Sequence, residues 1–214
     1  MTYRIISISG FKGHGKDTVG QILAHHAGYT PQSFADPLKR MLCVQFGWDM
    51  HMLSGITPES RTWREQPDPY WSEKLGRPFT PRQAMTEIGT DLIRKKFLDT
   101  QWCDLMQKQL QSHVTPVVIT DARFRNELQM IRDQGGFTIW VKRDPLPTWY
   151  DKVLWLNKRP KWQRKLIRPL LRELKQVHES EQDWVGWDFD HVIENTGSLE
   201  DLEQQVLMWY KPLT

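Results

Sequence analysis

Residues 3–19 read YRIISISGFKGHGKDTV: Ile5, Ile6 and Ile8 run into Gly10, and three glycines frame Lys16 before the chain turns helical. A β-branched run ended by glycine is a buried strand. The next residues, Gly10-Phe11-Lys12-Gly13-His14-Gly15-Lys16, fit G-x-x-x-x-G-K, a phosphate-binding loop, with Asp17 where Ser or Thr is usual. Glycines let backbone amides approach phosphate oxygens, the helix N-terminus adds partial positive charge, and Lys16 bridges terminal phosphates. Lys12, Gly13, His14, Gly15, Lys16, Asp17 and Thr18 are therefore the candidate ATP-binding residues. Asp17 either ligates Mg²⁺ itself, or caps the helix while the Thr18 hydroxyl serves the metal.

Working outward, Lys16 to Gly28 reads as a helix with a glycine C-cap, and Asp36-Pro37 opens a second that Gly47 ends. Residues 48–79 are rich in Pro, Gly and Trp and read as an excursion holding one short helix. Thr80-Pro81 starts a helix through Met85 and Ile88, and another is expected over about 100–112. Strands are expected at Val117–Thr120, Phe137–Lys142 and His191–Asn195, with helices at 126–134 and after Ser198. Alternating strands and helices imply a parallel sheet covered on both faces. Asp121 then falls at a strand's C-terminal end, the ligand edge of such a sheet, where an acid orders Mg²⁺ or its waters. Arg123 and Arg125 follow, and an arginine there stabilises charge on a transferring phosphoryl group.

The 214 residues are 39% hydrophobic and 26% charged, which excludes a disordered chain. No apolar run approaches the roughly 18 residues of a spanning helix. The amino-terminal residues carry no export signal, and Cys43 and Cys103 lack metal-ligand spacing, so a cytoplasmic chain with reduced thiols is expected. Charge is uneven: residues 142–175 hold eleven Lys/Arg against three acidic residues in a chain of net charge +3. This stretch, with Arg159, Arg164, Arg168 and Arg172, reads either as a helical lid closing over ATP or as a solvated helical hairpin.

The chain resembles the bacteriophage deoxynucleoside monophosphate kinases. The matching pieces, in order, are Gly13-x-Gly15-Lys16-Asp17-Thr18, Ala35-x-Pro37-Leu38-Lys39 and Arg82-x-x-Met85-x-x-Ile88-Gly89-Thr90-Asp91-Leu92-Ile93, then Trp102. Asp121-x-Arg123, Asn126-Glu127, His178-x-Ser180-Glu181 and Ile193-x-Asn195-x-Gly197-Ser198-Leu199 complete them. The resemblance implies one P-loop α/β domain over residues 1–214: a three-layer sandwich, an acceptor excursion at about 48–79 and a basic, lid-like helical insertion at about 144–180. It implies phosphoryl transfer from ATP, with Mg²⁺, to a deoxynucleoside monophosphate, giving the diphosphate. Lys16, Asp121 and Arg123 would be catalytic, and Asp17, Thr18 and Asp121 would serve the metal. Lys39, Arg64, Arg82, Gly89, Thr90 and Trp102 would line the acceptor pocket. Expected partners are small-molecule nucleotides, without a stable nucleic-acid complex or a membrane; a homodimer stays open. The rival readings are another small-molecule kinase, such as one acting on dephospho-coenzyme A, and a single-strand-binding module built on the basic aromatic stretch.

Overall fold

The computed structural model describes residues 4–210, apart from the side chains of Lys161, Leu170 and Arg172. Tyr3, expected in the first strand, lies outside the described residues, as does the side chain of Arg172. The chain divides into two compact units, Met1–Ser33 with Leu110–Thr214, and Phe34–Gln109.

The first unit is built on five parallel strands: β1 (Ile5–Ser9), β2 (Thr30–Gln32), β3 (Val117–Ile119), β4 (Phe137–Lys142) and β5 (His191–Glu194). Their order is β2-β3-β1-β4-β5. Register sets Ile6 beside Val118 and Phe137, and Val141 beside Ile193. Because strand side chains alternate, Ile6, Ile8, Val118, Ile139, Val141 and Ile193 share one face. That face is closed by Val19, Ile22 and Leu23 of α1 (Lys16–Ala27) and Leu202 and Val206 of α12 (Leu199–Tyr210). The other face takes α8 (Arg125–Asp133): a β-carbon at Gly136 would stand 2.7 Å from Ile131 Cγ2 and 3.1 Å from Ile5 Cβ. Helix, sheet, helix: the unit is the expected three-layer P-loop α/β sandwich.

Strand β2 went unread in the sequence because it carries Pro31. It sits at the sheet edge, where a missing N–H costs no ladder bond. The basic stretch is helical as expected, through α9 (Tyr150–Asn157), α10 (Lys161–Ile167), two 3₁₀ turns at Arg168–Leu170 and Arg172–Gln176, and α11 (Glu179–Gln182). Val153, Leu156 and Leu174 are buried beneath it, while Trp155, Trp162 and Leu166 are exposed.

The second unit is helical: α2 (Asp36–Phe46), α3 (Met50–Ser54), α4 (Pro58–Glu65), α5 (Pro69–Leu75), α6 (Pro81–Thr86) and the start of α7 (Gln101–Ser112). The 48–79 excursion thus holds three short helices, not one. Each follows a capping side chain: Asp49 accepts from the Met52 N–H, Thr57 from Ser60 and Asp68 from Trp71. The same signals start the helix at Thr80-Pro81; here prolines and tryptophans mask them in the sequence. The aromatics between them form a cluster, with Phe46 and Trp48 stacked at 4.6 Å and Trp71 and Phe79 against Phe46. The helix begun at Pro81 runs on as an uninterrupted π-helical stretch, Glu87–Phe97, so Gly89 does not end it.

Asp68 both caps α5 and accepts the Trp48 indole N–H at 2.8 Å. Asp68→Ala removes a cap and leaves a buried donor unpaired, and should cost about 2–3 kcal/mol. Urea unfolding followed by tryptophan fluorescence measures it; an unchanged midpoint contradicts this account of the excursion.

Candidate active site

Strand β1 ends where the chain order reverses: the connection leaving β1 runs to β2 on the β3 side, and the one leaving β3 crosses to β4 on the opposite side of β1. That switch point at the C-terminal edge is where an open parallel sheet leaves a ligand crevice. The loop that follows is fixed by close approach and by three hydrogen bonds. Gly15, the N-cap of α1, has φ +96°, a left-handed conformation that β-carbons disfavour. A β-carbon there would also stand 2.6 Å from the Asn195 amide nitrogen. That amide donates to the His14 carbonyl at 2.9 Å. The His14 Nδ1 accepts from the Arg143 N–H at 3.1 Å, and the His14 N–H donates to the Phe11 carbonyl at 3.2 Å. The ends of β4 and β5 therefore hold the loop from outside. Phe11 is buried against Trp149 and Trp184, at the foot of the basic insertion.

Within the loop, Lys12, Gly13 and Asp17 are exposed, and Thr18 is half-buried. Lys16 Nζ lies 3.1 Å from Asp17 Oδ2. The Asp17 carboxylate makes no capping hydrogen bond to α1. It stands in the first turn, where its charge suits the helix dipole. Burial, with Arg143 and Lys16 nearby, pushes the His14 pKa below its ordinary value of 6.5. His14 is a neutral acceptor.

At the end of β3, Asp121 accepts from Ser33 Oγ at 2.6 Å, and Ser9 Oγ donates to the Ala122 carbonyl at 3.1 Å. Asp121 and the loop thus stand at the C-terminal ends of paired strands. Glu127 closes the first turn of α8 by accepting from the Arg123 N–H at 2.6 Å and the Phe124 N–H at 3.0 Å. The Arg123 guanidinium pairs with Glu181. Arg125 is tied to the chain instead: its guanidinium donates to the Asp183 and Val185 carbonyls at 2.8 and 2.7 Å. Among the described residues, no three His, Cys, Asp or Glu side chains gather as a metal cluster. The oxygens of Asp17, Thr18 and Asp121 suit a hard cation that completes its shell with water and phosphate, as Mg²⁺ does.

The residues expected to bind the acceptor all lie in the helical unit. Lys39 pairs with Asp36 at 3.1 Å, one turn back on α2. Its neighbour Leu38 covers Gly89 so closely that a β-carbon would come within 2.4 Å of Leu38 Cδ2. The Trp102 indole donates to the Gly89 carbonyl at 3.1 Å, and Thr90 is buried beside it in the chain. Gly89, Thr90 and Trp102 are thus brought together, and Lys39 is placed only by its pair with Asp36 on the helix whose Leu38 meets Gly89. Arg64 instead lies over Gly55, and Arg61 donates to the Gly55 carbonyl at 3.0 Å. Arg82 is exposed on α6. Sequence reasoning missed the roles of Asn195, Ser33 and Glu181, whose partners are 181, 88 and 58 residues away. It also missed the buried Arg94, which donates to the Asp99 carbonyl.

The strand order and the glycine loop define a P-loop α/β protein. The family model described as deoxynucleotide monophosphate kinase matches residues 70–152. A protein of Acanthamoeba polyphaga mimivirus, described provisionally as a deoxynucleotide monophosphate kinase, is 32% identical over 155 residues, covering 65% of this chain and 74% of the relative. The chain belongs to the deoxynucleotide monophosphate kinase family. That relative comes from a giant virus, and neither comparison bears on a bacteriophage source. Among solved structures, a shikimate kinase from Aquifex aeolicus aligns at TM-score 0.45 and 16% identity, covering 96% of this chain and 94% of that one. A dephospho-CoA kinase from Campylobacter jejuni aligns at 0.44 and 15%, covering 97% and 96%. Among the described residues, no helix is long and apolar enough to cross a membrane.

With its pKa below 6.5, His14 holds fewer protons in the folded chain than in the unfolded one. Its contribution to stability is complete above pH 6.5 and is lost as pH falls toward the folded value. Melting midpoints between about pH 8 and 5 should drop further for the native chain than for His14→Gln. Parallel curves contradict the neutral-acceptor role.

Proposed function

We propose that the chain transfers the γ-phosphoryl group of ATP to a deoxynucleoside 5′-monophosphate. An acceptor phosphate oxygen bonds to the γ-phosphorus, the bond to the β–γ bridging oxygen breaks, and ADP leaves with the deoxynucleoside diphosphate as co-product. The observation that carries this reading is a phosphate loop fixed at the switch point of the sheet in a chain of this family.

Phosphoryl transfer asks for positioning and charge stabilisation more than covalent chemistry. In this reading, Lys12 to Thr18 present backbone amides to the ATP phosphates. Lys16 leaves its exposed partner Asp17 for the β- and γ-phosphate oxygens, an exchange made easy because surface pairs are worth little. Asp17, Thr18 and Asp121 would hold Mg²⁺, which when bound neutralises charge on the β- and γ-oxygens. Ser33, donating to Asp121, orients that carboxylate. Arg123 stabilises charge that spreads over the transferring group. In the helical unit, Lys39, Arg64 and Arg82 take the acceptor's phosphate, and Gly89, Thr90 and Trp102 line the nucleotide's site.

Residues 1–214 act as one kinase whose 144–180 insertion serves as a lid for ATP. Fastening of its foot to Phe11 supports that reading. The partners are nucleotides, with no stable nucleic-acid complex, and the place of action is the cytoplasm.

Lys16→Ala should lower kcat by about 10²–10³-fold with the circular-dichroism spectrum unchanged. Arg82→Ala should raise KM for the monophosphate about ten-fold or more and leave KM for ATP within about two-fold. Near-native turnover in the first, or an unchanged acceptor KM in the second, contradicts the assigned roles.

A further inference from the structure

The His178-x-Ser180-Glu181 sequence has no part in the reaction as described, yet hydrogen bonds tie it and the residues after it to α8 and α9. His178 Nδ1 accepts from the Ser180 N–H at 3.2 Å, capping the short α11. Gln182 is buried and donates to the Leu174 carbonyl at 3.1 Å. The Asn157 amide donates to the Gln182 and Val185 carbonyls at 2.8 and 2.9 Å, joining α9 to this return. Asp183 accepts from the Arg125 N–H at 2.7 Å, while the Arg125 guanidinium holds the carbonyls of 183 and 185. Segment 178–185 is therefore latched to the chain that enters α8. Its one carboxylate reaching Arg123 belongs to Glu181.

Arg123 is thereby gripped at both ends. Glu127 takes its backbone N–H at 2.6 Å, and Glu181 takes its guanidinium. Both side chains of the Arg123–Glu181 pair are about three-quarters buried, at 28% and 27% exposed. A free arginine side chain samples many rotamers, and holding it in one removes that entropy cost from the step that uses it.

We infer that Glu181 is the positioning residue for Arg123, so that the return of the basic insertion sets the geometry of a phosphate-facing arginine. The inference rests on the proposed role of Arg123. Glu181 touches no reacting atom; it acts through the guanidinium. Because α11 is joined to α9 and to α8, a displacement of the insertion's return would move Glu181 and release Arg123. The insertion would then govern catalysis through an ion pair as well as by covering ATP.

Steady-state kinetics and thermal melting of Glu181→Gln, Glu181→Asp, Arg123→Ala and the double variant Arg123→Ala/Glu181→Gln test this. Glu181→Gln should lower kcat about ten-fold, with both KM values within about two-fold and the melting midpoint nearly unchanged. Glu181→Asp should recover part of the loss. Arg123→Ala should lose about 100-fold, and the double variant should be no slower than Arg123→Ala alone, since Glu181 acts only through that arginine. If Glu181→Gln keeps native kcat, or slows the Arg123→Ala background by its own full factor, the inference about Glu181 is overturned while Arg123 keeps its role. A native kcat for Arg123→Ala overturns the role of Arg123 itself, and with it this inference.

Discussion

The rest of the site depends on a clamp: the ends of β4 and β5 hold the phosphate loop from outside. Asn195, 6% exposed at the end of β5, donates to the His14 carbonyl and fills the space over Gly15 that a β-carbon would need. With the Arg143 N–H on the His14 ring, the ends of β4 and β5 clamp a loop that belongs to β1 and α1. A loop rich in glycine loses much conformational entropy on ordering. Holding it by neighbouring strands places that cost in folding, before any ligand arrives. The parallel sheet is the device that makes the clamp possible, because it brings the C-terminal ends of β1, β3, β4 and β5 to one edge.

The cations assigned to phosphate share an electrostatic pattern. Lys16 rests on Asp17, Lys39 on Asp36 and Arg123 on Glu181. The two lysine pairs are partly exposed, so their carboxylates compete weakly with a polyanion that offers several oxygens, whereas in the inferred positioning role Glu181 stays on Arg123. The pairs differ in what the carboxylate is attached to. Asp17 and Asp36 stand on the same helix as their lysines, whereas Glu181 comes from the far end of the insertion. In the helical unit, Gly89 answers a packing demand instead: Leu38 lies on it and the Trp102 indole bonds its carbonyl, within the π-helical stretch.

Much of the sheet unit was legible in the sequence because its signals are local. The β-branched run before Gly10, the helix from Lys16 capped by Gly28 and the Val117–Ile119 strand before Asp121 each announce themselves within a few residues. Strand β2 did not, since Pro31 argues against a strand until its edge position is known. The three helices of 48–79 carried readable caps at Asp49, Thr57 and Asp68, masked by a composition that suggests loop. The hidden part of the site is long-range. Spacing does not reveal that Asn195 reaches His14, that Ser33 meets Asp121, or that Arg123 and Arg125 divide into one arginine paired with a carboxylate and another bound to backbone carbonyls. Chain separation of that kind becomes visible only when the sheet order is known.

The central claim is an acceptor-dependent phosphoryl transfer. The direct measurement is ADP formation from MgATP with each of the four deoxynucleoside monophosphates, the ribonucleotides, dephospho-coenzyme A and no acceptor, with the products identified. The account predicts ADP matched one for one by a deoxynucleoside diphosphate, from at least one deoxynucleotide and far above the acceptor-free rate. ADP formed equally without acceptor, or only with dephospho-coenzyme A, would contradict it.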